Sequence, residues 1–297
     1  MEKSKIAVFG GCGFLGQYLV DELVGRNYLV TVFDKSESPL ISKKVEQIST
    51  DILDKFKVEQ QILDGNFDIV YNLAGFANLD VANKFPYKTF ELNVLGNINI
   101  LDACVKAGVK RIVYASSAYA MSDKGSFYGI SKLTSEKIIE EYSIRFALDF
   151  TILRYGSVYS EKSFDNNYIY NLIENAINSG KIQHGGDGTE VREYIHAKDA
   201  AKLSVDVIES EQFINEHIIF TGIEKMRRVE LFEMINEILG SNIKIELNTG
   251  EYHHHYKFTP YSYSPTLSKK LVSNPHIDMG QGIVECIKEI YNKKNQD

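Results

Sequence analysis

Two side chains one helical turn apart, Tyr128 and Lys132, are the best candidates for proton transfer in this sequence. On a helix, a spacing of four places the phenol and the ammonium on one face. An isolated tyrosine has a pKa near ~10 and is a poor base at neutral pH, but a neighbouring cation favours the phenolate. Taken alone, the pair is also typical of a solvated helix face, so its meaning depends on what surrounds it.

A serine shortly before this pair strengthens the catalytic interpretation. Ser117 ends the predicted strand 111–117, where its hydroxyl could hold a substrate oxygen opposite the tyrosine. We therefore predict that Ser117, Tyr128 and Lys132 are the catalytic residues of a proton transfer at an alcohol oxygen.

A glycine-rich turn near the N-terminus predicts the binding of a dinucleotide. Residues 6–9 form a short apolar strand, and Gly10, Gly11, Gly13 and Gly16 follow it into a segment with leucines at helical spacing. Glycines in such a turn let backbone N–H groups approach a pyrophosphate, and the helix N-terminus supplies partial positive charge. A βα turn that merely uses glycine is the alternative. The acidic residue described next argues against that alternative.

Asp34 ends the next predicted strand, 28–33, where a carboxylate accepts hydrogen bonds from an adenosine ribose. Its charge repels a 2′-phosphate, which favours NAD over NADP, although the adjacent Lys35 acts in the opposite direction. The predicted cofactor is therefore NAD.

The remaining elements alternate between strands and helices. Further strands are predicted at 45–50, 68–75, 111–117 and 150–158, and helices at 54–64, 87–107 and 128–147. Such alternation indicates an α/β fold, a doubly wound parallel sheet of the Rossmann type. We predict an NAD-binding domain at 1–166, whose core also receives part of 190–222, and a smaller mixed α/β substrate-binding lobe at 167–297.

Composition excludes several classes of protein. The chain has 297 residues and a formal charge of −7, which argues against a nucleic-acid partner. No apolar run reaches the length of a membrane span, and no signal peptide is expected. The three cysteines, Cys12, Cys104 and Cys286, are scattered, so we expect no disulfide framework and a cytoplasmic location.

The order of these motifs resembles the extended short-chain dehydrogenase/reductases (SDR) of the NAD-dependent epimerase/dehydratase family, which modify nucleotide-activated sugars. The resemblance spans residues 5 to about 210. The matching pieces are Gly10 to Gly16, Asp34, Asp51 with Ile52, Asn72 to Gly75, Asn93 to Gly96, Ser116 with Ser117, Tyr128 with Lys132, Leu153 to Tyr159, and Gly186 to Asp199.

The resemblance implies roles for these residues. It places Asp51 and Ile52 near the adenine, and it assigns to Arg192 a contact with the substrate diphosphate, for which a guanidinium fork is suited. A surface charge pair is the alternative for Arg192. The implied cofactor-binding residues are Gly10, Gly13, Phe14, Leu15, Gly16, Asp34, Lys35, Asp51, Ile52, Leu73, Ala74, Gly75, Asn93, Ser116, Tyr128, Lys132 and Tyr155, and the implied substrate-binding residues are Ser117 and Arg192.

Departures from the family pattern narrow the chemistry. Sugar 4,6-dehydratases carry Asp and Glu just after the catalytic hydroxyl residue, whereas this chain has Ala118 and Tyr119. Reductases that also invert C3 and C5 carry a cysteine there, which Ala118 again replaces. Hydride and proton transfer at a carbinol remain, and the resulting 4-keto sugar is either released by a dehydrogenase or reduced from the other face by an epimerase.

The sequence leaves the roles of two features undecided. Ser157 replaces an asparagine often seen in the epimerases, and the closing pattern at 252–279 is altered, so it is undecided whether that stretch contacts substrate. His253, His254 and His255 raise the possibility of a metal, but no Cys or acidic cluster joins them, and the family needs none. We expect no metal site there.

The predicted function is NAD-dependent oxidation at C4 of a nucleotide-activated hexose or heptose, by a 4-dehydrogenase or 4-epimerase of bacterial surface-polysaccharide (capsule) biosynthesis. A 4-ketoreductase and a non-catalytic NAD-binding regulator are the alternatives. The intact Ser117, Tyr128 and Lys132 argue against the regulator. The resemblance also implies a homodimer or homotetramer formed through the helices near 87–107 and 128–147.

Overall fold

The structure is a computed structural model that describes residues 4–165, 167–248, 257 and 269–295. Its strands are β1 Lys5–Phe9, β2 Leu29–Asp34, β3 Glu46–Ser49, β4 Ile69–Asn72, β5 Arg111–Ser117, β6 Asp149–Tyr155, β7 Ser157–Tyr159, β8 Lys181–His184, β9 Val191–Arg192, β10 Tyr194–His196, β11 Glu216–Phe220, β12 Met226–Arg227, β13 Lys244–Leu247 and β14 Lys269–Leu271. Its helices are α1 Phe14–Gly25, α2 Lys55–Gly65, α3 Leu79–Lys84, α4 Pro86–Phe90, α5 Gly96–Ala107, α6 Ser126–Phe146, α7 Tyr168–Ser179, α8 Ala197–Asp206, α9 Arg228–Ile238 and α10 Met279–Lys294.

A parallel sheet of eight of these strands forms the centre of the fold, in the order β14-β11-β6-β5-β4-β1-β2-β3. The chain builds it outward from β1, first through β2 and β3 and then through β4, β5 and β6 on the other side. This reversal of direction opens a crevice at the carboxyl ends of the strands, where ligands bind in doubly wound sheets. The predicted fold class is confirmed.

Both faces of the sheet are covered, which explains why the strand sequences are apolar throughout rather than alternating. Ile6 and Val8 of β1 belong to the apolar cluster that includes Leu19 of α1. Ala7 and Phe9, which point the other way, belong to the cluster on the opposite face.

Residues beyond 167 contribute both to a separate apolar cluster and to the central part of the fold. Helices α7, α9 and α10 bury a third apolar cluster with β8 at its edge. By contrast, α8 packs on α1, and β11 and β14 extend the central sheet. Strand β14 thus joins the sheet from further along the chain than the predicted contribution of 190–222, and the domain boundary at 166 stays a prediction.

Two predicted elements are divided in the structure. The predicted helix 87–107 runs through α4, a wide π-turn at Glu91–Leu95 and α5, and it ends at Gly108 in the left-handed conformation. The predicted strand 150–158 breaks at Gly156, after which β7 leaves the sheet and pairs with β10. None of the helices that the structure describes combines the length and the apolarity that a membrane crossing requires.

Candidate active site

The carboxyl ends of β1, β2, β4, β5 and β6 open into one cavity of about 750 Å³. Because parallel strands end at the same edge, side chains that are distant in sequence meet there. The predicted site residues that line it are Gly10, Gly13, Phe14, Leu15, Gly16, Asp34, Lys35, Ile52, Leu73, Ala74, Gly75, Ser116, Ser117, Tyr128, Lys132, Tyr155 and Arg192. Asp51 and Asn93 do not line it, and their contact with the cofactor stays a prediction.

The glycine turn is packed so closely that side chains are excluded. Gly10 has a φ of +79°, and a Cβ there would lie 2.6 Å from the backbone nitrogen of Ala74. A Cβ on Gly16 would lie 2.3 Å from the carbonyl oxygen of Gly10, so this glycine lets α1 rest directly on the turn. Helix α1 begins immediately after Gly13, and the N–H groups of its first turn lack intrahelical acceptors. The turn can therefore receive a pyrophosphate.

Asp34 lies beside this turn, at the end of β2. Its carboxylate accepts the N–H of Cys12 at 3.0 Å and the N–H of Lys35 at 2.7 Å, which orients it. The Lys35 ammonium pairs with Asp51 at 3.1 Å, and both side chains are about half exposed. Asp51 thus offsets the positive charge that could favour a 2′-phosphate. This geometry suits the ribose of NAD.

Lys132 is buried on α6 and faces the cavity. Its Nζ donates to the carbonyl oxygen of Ala115 at 2.7 Å and lies 4.8 Å from the centroid of the Tyr114 ring. Burial lowers the pKa of this ammonium to about 8, and the charge of Glu136 opposes that effect. The lysine is therefore held rigidly, with a pKa close to physiological pH.

Tyr128 and Ser117 line the same cavity as Lys132. Both side chains are 7% exposed. The Tyr128 ring packs edge-on against Tyr119, with centroids 6.1 Å apart. The Oγ of Ser117 accepts the N–H of Tyr119 at 3.2 Å, which leaves the hydroxyl hydrogen to donate toward the cavity. The structure thus brings the three predicted catalytic residues together.

A buried ion pair lies under this group and joins α6 to the sheet. Glu136 accepts two bonds from Arg154, at 2.6 Å from Nη2 and 3.0 Å from Nε. Its second partner is the hydroxyl of Ser116, which neighbours Ser117 on β5. All three residues are at most 4% exposed. The pair fixes the position of α6, and with it Tyr128 and Lys132, relative to β5.

Asn93 lies behind the cavity wall, in the π-turn. Its side-chain oxygen accepts the N–H of Phe76 at 2.7 Å, and its side-chain nitrogen donates to Ser131 on α6 at 2.9 Å. A Cβ on Gly75 would lie 2.3 Å from that oxygen. Asn93 thus connects the loop after β4 to α6.

One wall of the cavity contains Arg192 and Arg228, and the sequence predicted only the first of them. Arg192, predicted from the family resemblance, is 1% exposed on β9. Residues outside the predicted set also line the cavity, and the polar and aromatic ones include Asn78, Asp80, Tyr119, Tyr168, His184, Tyr194 and Arg228. No local pattern marks them, because strand pairing and helix docking bring them there.

A scan of known protein families shows where the chain belongs. The model of the NAD dependent epimerase/dehydratase family matches residues 6–220. The chain belongs to this family. The family resemblance, the assignment as an SDR-type enzyme and NAD as the cofactor are thereby confirmed.

Members of this NAD-dependent epimerase/dehydratase family are similar to the chain over most of its length. A UDP-glucose 4-epimerase from Lactobacillus helveticus is 27% identical, covering 80% of this chain and 83% of its own. A UDP-N-acetyl-alpha-D-glucosaminuronate decarboxylase from Bacillus cytotoxicus is 26% identical, covering 96% and 97%. The crystal structure of a UDP-glucose 4-epimerase from Thermotoga maritima with UDP-glucose has a TM-score of 0.84 at 20% identity, covering 99% and 100%. At that identity the structural likeness shows the fold.

The histidine run His253 to His255 falls outside the described residues, so the expectation of no metal there stays a prediction. Among the described residues, one cluster of possible metal ligands was not predicted. Ligand atoms of Glu161, His196 and Glu285 lie within 4.8 Å of one another. Nδ1 of His196 accepts the N–H of Lys198, so a neutral ring carries its hydrogen on Nε2, 3.2 Å from Glu161. The Lys198 ammonium lies 3.2 Å from Glu161 and 3.5 Å from Glu285. This geometry favours an ion-pair cluster over a metal site.

Proposed function

We propose that this enzyme is a nucleotide-sugar 4-epimerase. The observation that carries the proposal is that one cavity is lined by the glycine turn, the group Ser117, Tyr128 and Lys132, and Arg192. A dinucleotide and a diphosphate-linked sugar can therefore meet at a proton-transfer site. The names of the relatives support UDP as the nucleotide and inversion at C4 as the outcome.

The chain's residues divide the work at the C4 hydroxyl group. The turn from Gly10 to Gly16 and Asp34 would hold NAD, which would supply the acceptor, and then the donor, of a hydride at C4. Tyr128 removes the hydroxyl proton, and the ammonium of Lys132 favours the phenolate that does so. The hydroxyl of Ser117 donates to the same oxygen. Ala118 provides no acid or base for removing water, which favours epimerisation over dehydration.

The decisive test combines product analysis with Tyr128→Phe. With a panel of nucleotide sugars, we expect a product of unchanged mass and inverted C4 stereochemistry from the wild type. Removing the phenol should lower kcat about 10²- to 10⁴-fold, because general acid–base catalysis contributes about that factor. NAD content should stay unchanged, since Tyr128 is not needed to hold the pyrophosphate.

Tyr142→Phe is the matched control, since Tyr142 lies on the same helix and bonds to Asp102 outside the cavity. It should retain wild-type turnover. A product lighter by two hydrogens identifies a 4-dehydrogenase instead, and steady consumption of free NADH or NADPH identifies a ketoreductase. Full activity of Tyr128→Phe would contradict the catalytic assignment.

The biological setting is part of the same proposal. We infer a role in bacterial surface-polysaccharide biosynthesis with a hexose or heptose substrate, and a cytoplasmic location, as the scattered cysteines led us to expect. Deleting the gene should remove one sugar epimer from the cell-surface polysaccharide. Unchanged sugar composition would contradict this role.

We also infer a homodimer, and the exposed apolar residues near α4 and on α6 support it. Tyr87, Leu95, Ile130 and Leu133 are between 38% and 79% exposed. Leu133→Asp should therefore convert the dimer to a monomer, as measured by analytical ultracentrifugation. Tyr291→Asp, at a half-exposed position on α10, is the control and should leave the mass unchanged. A Leu133→Asp variant with the mass of the wild type contradicts this interface.

A further inference from the structure

Two arginines of different elements converge on one wall of the cavity. Strands β9 and β12 pair antiparallel, with Met226 opposite Arg192. Arg228 follows β12 directly, and its backbone N–H donates to the carbonyl oxygen of Glu190 at 2.9 Å. Both arginine side chains line the cavity, and the residues are 1% and 6% exposed.

Stacking on tyrosines fixes the orientation of Arg228. Its guanidinium carbon lies 4.0 Å from the centroid of the Tyr168 ring and 5.7 Å from that of Tyr194. Both rings line the same cavity. A guanidinium stacked in this way keeps its N–H donors in the plane, at the edges of the group, where they can bind the oxygens of an anion.

The preceding residue, Arg227, is an arginine on the same segment whose exposure can be compared with that of Arg228. Arg227 is exposed, and it pairs with Glu230 at 2.7 Å on the first turn of α9. Arg228, one residue later, is turned into the cavity. Two adjacent arginines thus have different roles, and only Arg228 can meet a bound ligand.

The wall collects positive charge around a buried histidine. Burial lowers the pKa of His184, as do the nearby charges of Arg228 and Arg192, whereas its contact with Glu190 at 3.2 Å acts in the opposite direction. His184 also lines the cavity. Two guanidinium groups that line one cavity provide N–H donors and positive charge suited to a ligand with more than one negative charge.

We propose that Arg228 acts with Arg192 to bind the two phosphates of the substrate, and that Arg228 makes the enzyme select diphosphate-linked over monophosphate-linked sugars. This inference rests on the proposed function, which supplies the nucleotide sugar. Arg228 holds one phosphate through its in-plane N–H groups, and Arg192 holds the other. The contact is the same before and during reaction, so it contributes to binding and not to the chemical step.

The test measures nucleotide binding to the NAD-containing enzyme by calorimetry. UDP, GDP, CDP and dTDP are the diphosphate probes, and the monophosphate of the best-binding base is the comparison. Arg228→Gln should weaken diphosphate binding about 10- to 100-fold, as expected for lost hydrogen bonds between charged groups, and monophosphate binding less than threefold. In turnover, KM should rise by a similar factor, with kcat within about twofold.

Two further variants separate charge from geometry. Arg228→Lys keeps the charge but not the planar fork, so it should bind the diphosphate with intermediate affinity. Arg227→Gln, the surface control, should bind like the wild type. Thermal unfolding and NAD content establish that each variant is folded and loaded.

The outcomes distinguish this inference from the function on which it rests. Equal losses for the diphosphate and the monophosphate, or none, overturn the role of Arg228 while wild-type turnover still stands. A fall in kcat at unchanged KM also overturns it. A wild type that binds none of the diphosphates and turns over no nucleotide sugar overturns both.

Discussion

Replacing Lys132 with methionine is expected to abolish turnover and also to stabilise the protein at pH 7 by about 1–2 kcal/mol. Burial lowers the pKa of this lysine from 10.5 to about 8, so the folded protein holds the proton less tightly than the unfolded chain. At about 1.4 kcal/mol per pH unit, burying the ammonium costs about 3 kcal/mol below pH 8. Methionine removes this cost but also loses the hydrogen bond to the Ala115 carbonyl oxygen, which reduces the net stabilisation by about 1 kcal/mol.

The free energy of unfolding of the wild type depends on pH through the titration of Lys132. Between pH 8 and 10.5 the unfolded chain binds more protons at this position than the folded protein, so wild-type stability rises with pH through that window. Above about pH 10.5 both states carry a neutral lysine, and the advantage of Lys132→Met disappears. Urea unfolding at pH 7 and at pH 10.5 measures both effects, with NAD content recorded because bound cofactor adds stability.

Lys137→Met is the control, because Lys137 lies on the same helix, is 41% exposed and pairs with Glu140 at the surface. It should change the free energy of unfolding by less than about 1 kcal/mol and leave turnover intact. A Lys132→Met variant that is less stable than the wild type at pH 7 contradicts the argument. So does one that retains wild-type turnover.

Glu136→Gln is expected to destabilise the protein by about 3–5 kcal/mol, the usual effect of removing one partner from a buried ion pair. The substitution leaves the guanidinium of Arg154, which is 2% exposed, without its carboxylate. Replacing both Glu136 and Arg154 with methionine should recover most of this loss, since no buried charge is then left uncompensated. Urea unfolding at pH 7 measures each variant.

Glu141→Gln is the matched control on α6, because Glu141 forms its ion pair with Arg145 on the surface. It should change stability by less than about 1 kcal/mol. The charge of Glu136 also opposes the lowering of the Lys132 pKa. Its loss should therefore move the alkaline limb of the pH–rate profile to lower pH. A variant with unchanged stability and an unchanged profile contradicts the role given to this pair.

Much of the site was predictable because its signals are local. The turn at Gly10 to Gly16, the strand end at Asp34 and the helical spacing of Tyr128 and Lys132 each depend on residues within a few turns of one another. Such patterns predict the NAD-binding half and the proposed proton-transfer group without knowledge of the fold. The same is true of the parallel sheet, which follows from alternating strands and helices.

Only the tertiary structure decided which distant side chains share the cavity. The pairing of β9 with β12 brings Arg228 to the wall of Arg192, and the packing of α6 on β6 buries Glu136 against Arg154. Asn93, whose motif resembled a cofactor contact, lies behind the cavity wall, where its side chain bonds to Ser131 of α6 and to Phe76. The physical reason is that strand register and helix docking depend on contacts between residues far apart in sequence, for which periodicity carries no signal. The sequence by itself predicted the cofactor and the proposed acid–base group, and the fold decided which residues line the cavity around them.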